Sequence, residues 1–263
     1  MGWKRAALTV GAVLAAGSAI AQQAPTAAPP RPEPYLGDRA PDTYRILPPA
    51  PVPGTTRYEA DRTVFLATRS LEGSPRWALA QSDADLRTVL PAMSCAAGVS
   101  LSPEATPRFA RLIGRVGRDS SRAVNHPKDI YKRQRPYLID EGHTCIEKTP
   151  SLAASPDYPS GHSTFAWTTG LILAELVPDR ATEILVRARA FGESRMVCGV
   201  HNMSAVEAGR TNGSILVAGL HGDPQFRKDL EAARAELAKA RKAGPAPDPA
   251  ACAKDAELLK SPL

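Results

Sequence analysis

The sequence predicts an all-α protein, a single-domain helical bundle of seven or eight helices. Apolar residues recur at helical intervals, most plainly at Phe109, Leu112, Ile113 and Val116 and again at Ala123 and Val124. Strand-like alternation never survives beyond a few residues. Helix starts are well marked: in Ser102-Pro103-Glu104, Ser suits the cap, Pro the first position and Glu the first turn.

At the amino end, Lys4 and Arg5 precede an apolar or small stretch from Ala6 to Ile20, and Ala19-Ile20-Ala21 has the small-x-small form of a signal-peptidase site. Residues 1–21 are therefore expected to be a signal peptide cleaved after Ala21, giving a periplasmic or secreted protein. No later segment approaches the ~20 continuous apolar residues of a membrane span, so no membrane partner is expected for the mature form. Residues 22–54 are rich in Pro and Ala and poor in large aliphatics, which predicts a loose, partly extended leader. The next ~200 residues, 55–245, are enough for one domain with a full core, and 246–263 form a tail.

Within that domain, helices are expected over Tyr58 to Arg69, over Pro75 to Leu90, from Ser102 onward, and over Lys128 to Arg135, ending near Pro136. Leu138 to Pro159 is polar and rich in Pro, hence a loop. Ser160 then opens a strongly apolar run through Phe165, Leu171, Ile172, Leu173 and Leu176. Another helix follows Pro178-Asp179, and two more lie between Ser204 and Leu220 and between Pro224 and Lys242. An exposed apolar helix face could support a homodimer.

Hydrophobic residues make up 43% of the chain, as in ordinary globular proteins. The formal charge of +6 fits an anionic substrate. It does not argue for nucleic acid, because the C-terminal basic cluster alternates with acids, as a solvated helix face does. Four cysteines, Cys95, Cys145, Cys198 and Cys252, fit disulfides in an exported chain. Four allow three pairings, a free thiol at Cys198 stays open, and the spacings match no zinc module. No metal and no cofactor is expected.

Three clusters carry chemistry. Lys128 and Arg135 are seven residues apart, which on one helix places both on one face about 10 Å apart, with side chains long enough to meet on one dianion. A Lys and an Arg at this spacing are usually just a wet face, and Lys132 and Arg133 beside them add to that alternative. Pro159-Ser160-Gly161-His162 stands before the apolar helix, where the amides of Ser160, Gly161 and His162 would make an anion site at the positive end of the helix dipole. Ser194-Arg195 is followed by His201; Arg195 offers a planar fork for two phosphate oxygens, and His201 an attacking nitrogen. His126, His143 and His221 fall outside these clusters and read as surface or packing residues.

In this order and spacing, Lys-x6-Arg-Pro, Pro-Ser-Gly-His and Ser-Arg-x5-His resemble the three-part signature of the phosphatidic acid phosphatase type 2 superfamily. That group holds bacterial class A non-specific acid phosphatases, membrane lipid phosphatases and vanadium haloperoxidases. Ser94-Cys95-Ala96, Ser102 to Pro107 and Glu207-Ala208-Gly209-Arg210 look like the soluble acid phosphatase branch. The resemblance implies an all-α fold and hydrolysis of small phosphate monoesters, with inorganic phosphate as product. It implies that Lys128, Arg135, Arg195, Ser160 and the Gly161 amide bind the phosphoryl group, that His201 is the nucleophile, and that His162 is the general acid and base.

One position departs from the family pattern. The signature ends His-x3-Asp, and this chain has Ala205 in place of that Asp. A carboxylate there would hold the tautomer of His201. Its loss predicts that something else orients His201 or that the ring sits loosely, with reduced turnover. Glu207, the nearest acid downstream, would lie about 120° off that face of a helix. A non-catalytic phosphate-binding protein and a vanadate-dependent haloperoxidase are the alternative readings.

Overall fold

The computed structural model describes residues 1–3 and 32–262. The expected signal peptide, its cleavage site and residues 22–31 lie outside the described residues, apart from residues 1–3. Residues from Pro32 onward form one compact unit. It contains eleven α-helices, several short 3-10 turns and, among the described residues, no strand. No helix among them is long and apolar enough to cross a membrane.

The middle of the bundle is α7 (Gly161–Leu176), which packs most extensively against α8 (Ala181–Val197) and α9 (Met203–Leu220). Its sequence is apolar on nearly every side because it is enclosed on nearly every side: Ala166, Ile172 and Leu173 are fully buried. Small residues let the neighbours in. A Cβ on Gly170 would come within 2.4 Å of the Ala188 Cβ on α8, and one on Gly209 of α9 within 2.7 Å of the Ser160 carbonyl oxygen. The second contact matters for function, since it presses α9 against the start of α7.

The amphipathic helix α5 (Pro107–Tyr131) lays Phe109, Leu112, Ile113, Val116, Ala123 and Val124 on the core, as their spacing predicts. It starts later than expected. Ser102-Pro103-Glu104 belongs to a separate turn in which Ser102 Oγ accepts the Ala105 amide, and Pro107 takes the first helical position. The leading amides of α5 are capped from afar by Glu236 of α10 (Pro224–Ala243). The expected helix over Pro75–Leu90 is two helices, α3 (Pro75–Ser82) and α4 (Val89–Ala97), with Asp83 buried at the break. The loop 138–159 carries one short helix, α6 (Pro150–Ala154).

One expectation about the ends is corrected. The loose leader does not run to Gly54: Tyr35, Leu36 and Leu47 are buried, and the amides of Tyr35, Leu36 and Gly37 all donate to the carboxylate of Asp119 on α5. Composition hid this because three buried side chains and one distant carboxylate suffice to dock the segment. The tail holds α11 (Pro249–Glu257) and is tied to α4 by the Cys95–Cys252 disulfide. The second disulfide joins Cys145 to Cys198, so Cys198 is not free.

Candidate active site

The first cluster reaches the site by a bend rather than along one helix. Pro127 lacks an amide hydrogen, and α5 ends one turn later at Tyr131, with Lys132 at φ 46° in the left-handed region. Arg135 is therefore not on the helical face of Lys128. It swings back instead, and both cations donate to the Ser155 hydroxyl, each at 3.3 Å. Three carbonyls fix Arg135: its Nε donates to Leu152 O and Ser155 O, and its Nη1 to Val200 O.

The second cluster forms the start of α7. Ser160 is the N-cap, and its hydroxyl accepts the amide of Ser163. Of the three amides expected to face an anion, that of Ser160 is engaged, donating to Ala205 O at 2.9 Å. Gly161 and His162 supply the leading amides of the helix. His162 Nε2 lies 2.9 Å from Ala84 O; a carbonyl only accepts, so Nε2 carries the hydrogen.

The third cluster turns back on itself just after α8. The amides of Val200 and His201 both donate to Arg195 O, and Gly199 takes φ 75° to make the turn. His201 is thus delivered beside Arg195. Ser194, the first residue of the motif, faces away: its hydroxyl donates to Asp83, which is paired with Arg187. Cys145–Cys198 straps the loop before α6 to this turn.

These clusters meet in one buried pocket. His201 is 3% exposed and its Nε2 lies 3.2 Å from Arg135 Nη1. A guanidinium nitrogen can only donate, so Nε2 holds a lone pair. Burial, then the charges of Arg135, Lys128 and Arg195, hold the His201 pKa well below the ordinary imidazole range. Burial and Arg195 do the same to His162. Burial and Arg135 push Lys128 down to about 8 and Arg195 to about 9, so both stay charged in acid. The guanidinium of Arg195 is 1% exposed, yet its Nε and Nη1 have no partner among the described residues. Buried donors of this kind are costly unless a ligand meets them. A cleft of ≈ 310 Å³ is lined by Lys128, Gly161 and His162 with Phe165, Leu86 and Asn125, and not by Arg135, Arg195 or His201. A larger cavity of ≈ 560 Å³ beside Arg108 and Lys239 includes none of these groups.

Behind His201 lies what the sequence did not disclose. Asp157, wholly buried in the loop before α7, has Oδ1 at 2.9 Å from His201 Nδ1. Its oxygens also accept the amide and the side-chain nitrogen of Asn202, and Arg133 stands 3.4 Å away. Arg133 is itself buried, bridging Asp61 and Ser204, and is no wet-face cation. Of the two expectations, a ring oriented by something else and a ring sitting loosely, this contact matches the first. Ala205 sits in an apolar cluster with Leu47, Tyr158 and Ala208. No local spacing could link Asp157 to a histidine 44 residues downstream. His126, His143 and His221 lie away from the pocket, each near a carboxylate at the surface.

Residues 120–229 match the family model of the PAP2 superfamily. An acid phosphatase of Zymomonas mobilis is 44% identical over 214 residues, covering 80% of this chain and 81% of that protein. Non-specific acid phosphatases of Providencia stuartii and Salmonella typhimurium are each 33% identical. The first covers 88% of this chain and 98% of its own length, the second 73% and 78%.

Proposed function

The chain belongs to the PAP2 superfamily, as an acid phosphatase of the class A branch, and from that premise we propose that it hydrolyses small phosphate monoesters through a phosphohistidine at His201. The carrying observation is the buried Arg195, whose Nε and Nη1 have no partner among the described residues, beside Arg135, Lys128 and the neutral Nε2 of His201. A pocket with this surplus of positive charge calls for a dianion, and a nucleophile already stands in it.

In this reading the phosphoryl oxygens lie among Arg195, Arg135, Lys128 and the leading amides of α7, which stabilise the charge of a loose transition state. The Nε2 lone pair of His201 attacks phosphorus as the bond to the ester oxygen breaks. His162 gives the leaving oxygen a proton. Because Nε2 of His162 is tied to Ala84 O, the transferable proton is the one on Nδ1. Water then attacks the phosphohistidine, His162 takes a proton from it, the P–N bond breaks and phosphate leaves. The depressed pKa of His201 keeps it nucleophilic in acid, and the dianion raises His162 so that it can be charged. Both effects favour an acidic optimum.

Two disulfides suit an oxidising compartment, which supports the reading of an exported protein. The decisive experiment is acid-stable-versus-acid-labile trapping during turnover of p-nitrophenyl phosphate, with and without chelator. Turnover that survives chelator, with an acid-labile phosphoryl group on His201 that is absent from His201→Ala, is expected. Hydrolysis with no such adduct would overturn the mechanism, and no hydrolysis at all would overturn the activity.

A further inference from the structure

We propose that Asp157 is the positioning residue for His201, supplying from the loop before α7 the carboxylate that Ala205 does not supply from α9. The inference rests on the phosphohistidine reading above and adds a residue to it.

The geometry assigns the proton as well as the contact. Asp157 Oδ1 accepts the Asn202 backbone amide at 3.2 Å, and a backbone amide can only donate. Oδ2 accepts Asn202 Nδ2 at 2.9 Å and faces the guanidinium of Arg133 at 3.4 Å. Both oxygens are engaged as acceptors, an arrangement that suits a hydrogen on His201 Nδ1. The other side of the ring agrees, since Nε2 meets an obligate donor in Arg135. His201 is held with its lone pair on Nε2, toward the cations, which is the tautomer that attack on phosphorus requires.

The carboxylate is also placed where negative charge is favoured. It accepts the amide of Asn202, the N-cap of α9, at the positive end of that helix. Burial is the largest influence and leaves its pKa raised above the ordinary carboxylate value, with Arg133, Asn202 and Arg135 pulling the other way. Arg133 is in turn fixed by Asp61, whose Oδ1 accepts the Ser204 amide at 2.8 Å. The Asp157 amide donates to Arg133 O at 2.8 Å, so the backbone as well as the side chain is held.

The test uses the full chain with p-nitrophenyl phosphate as substrate, inorganic phosphate as competitive ligand and ¹⁵N spectra of the His201 ring. Asp157→Asn is expected to lower kcat about 10²- to 10⁴-fold, the range bounded by loss of an orienting Asp in a catalytic triad. The inhibition constant for phosphate should move less than about threefold, because the cations are untouched. Ala205→Asp should give no gain, since the ring is already held. The unmutated chain should show the His201 hydrogen on Nδ1, a readout that does not depend on any variant folding. A hydrogen on Nε2, an Asp157→Asn kcat within about threefold of normal, or a tenfold gain from Ala205→Asp would each overturn the proposal. If the unmutated chain hydrolysed no monoester, the phosphatase reading would fail, and the tautomer would still report on Asp157.

Discussion

The two sides of the His201 ring are built on opposite plans. Toward the cleft stand three buried cations, and one of them, Arg195, has two nitrogens without partners among the described residues. Behind the ring, Asp157, Arg133, Asp61 and Ser204 form a buried network in which the carboxylate oxygens are all engaged. At the front Arg195 keeps two donors for a ligand, and at the back the carboxylates have spent their acceptors on rigidity, although Arg133 Nε is likewise without a partner among the described residues. Stability and activity should therefore respond oppositely to mutation on the two sides.

The largest expected effect is at the front. Arg195→Ala should lower kcat/KM for p-nitrophenyl phosphate about 10³-fold, as loss of an arginine that neutralises phosphoryl charge does. Its thermal midpoint without phosphate should be equal to or above that of the unmutated chain, because a buried, partnerless cation is gone. A marked fall in the midpoint would erase the contrast. At the back, Arg133→Met should cost about 3–5 kcal/mol in denaturant unfolding, since it leaves Asp61 and Asp157 buried without their shared cation. A loss under about 1 kcal/mol, the worth of an exposed pair, would mean that the network is not what holds this layer.

The smallest effect is a dependence on pH. The folded pKa values of His162 and His201 lie below the unfolded value of about 6.5. Between those values the unfolded chain binds more protons than the folded one. The stability from these two groups is thus complete above about pH 6.5 and is lost as pH falls below it. Melting curves from pH 7.5 to 5 should show this decline. Phosphate should flatten it relative to chloride at equal ionic strength, because the anion offsets the cations that depress the rings. An identical slope in both salts would break the link between the rings and the anion site.

Legibility followed the range of the interactions. The start of α7 was readable because a cap, a glycine and an apolar run are neighbours in the chain. So was the buried face of α5, which repeats every turn. The bend at Lys132 was not, because the periodic pattern runs on past it and the partner that holds the bent segment, the Asp157 amide on Arg133 O, is 24 residues away. The motif residues Lys128, Arg135, Ser160, Gly161, His162, Arg195 and His201 could be named from spacing, and the fold brings them to one pocket. Asp157, Arg133 and Asp61 could not. Each is a charged residue in a polar stretch whose burial exists only after three distant segments have closed on it. Ala205 showed that a carboxylate was missing from α9, but not that another lay across the pocket.

The hook formed by Asp119 has a practical corollary. Three successive main-chain amides at positions 35–37 are gripped by one carboxylate halfway along the longest helix, so the self-sufficient body begins upstream of the point that composition suggests. A truncation at Gly54 would remove a docked segment and leave the Asp119 carboxylate without those three donors. Any shortened version intended for expression should keep everything from residue 32 onward.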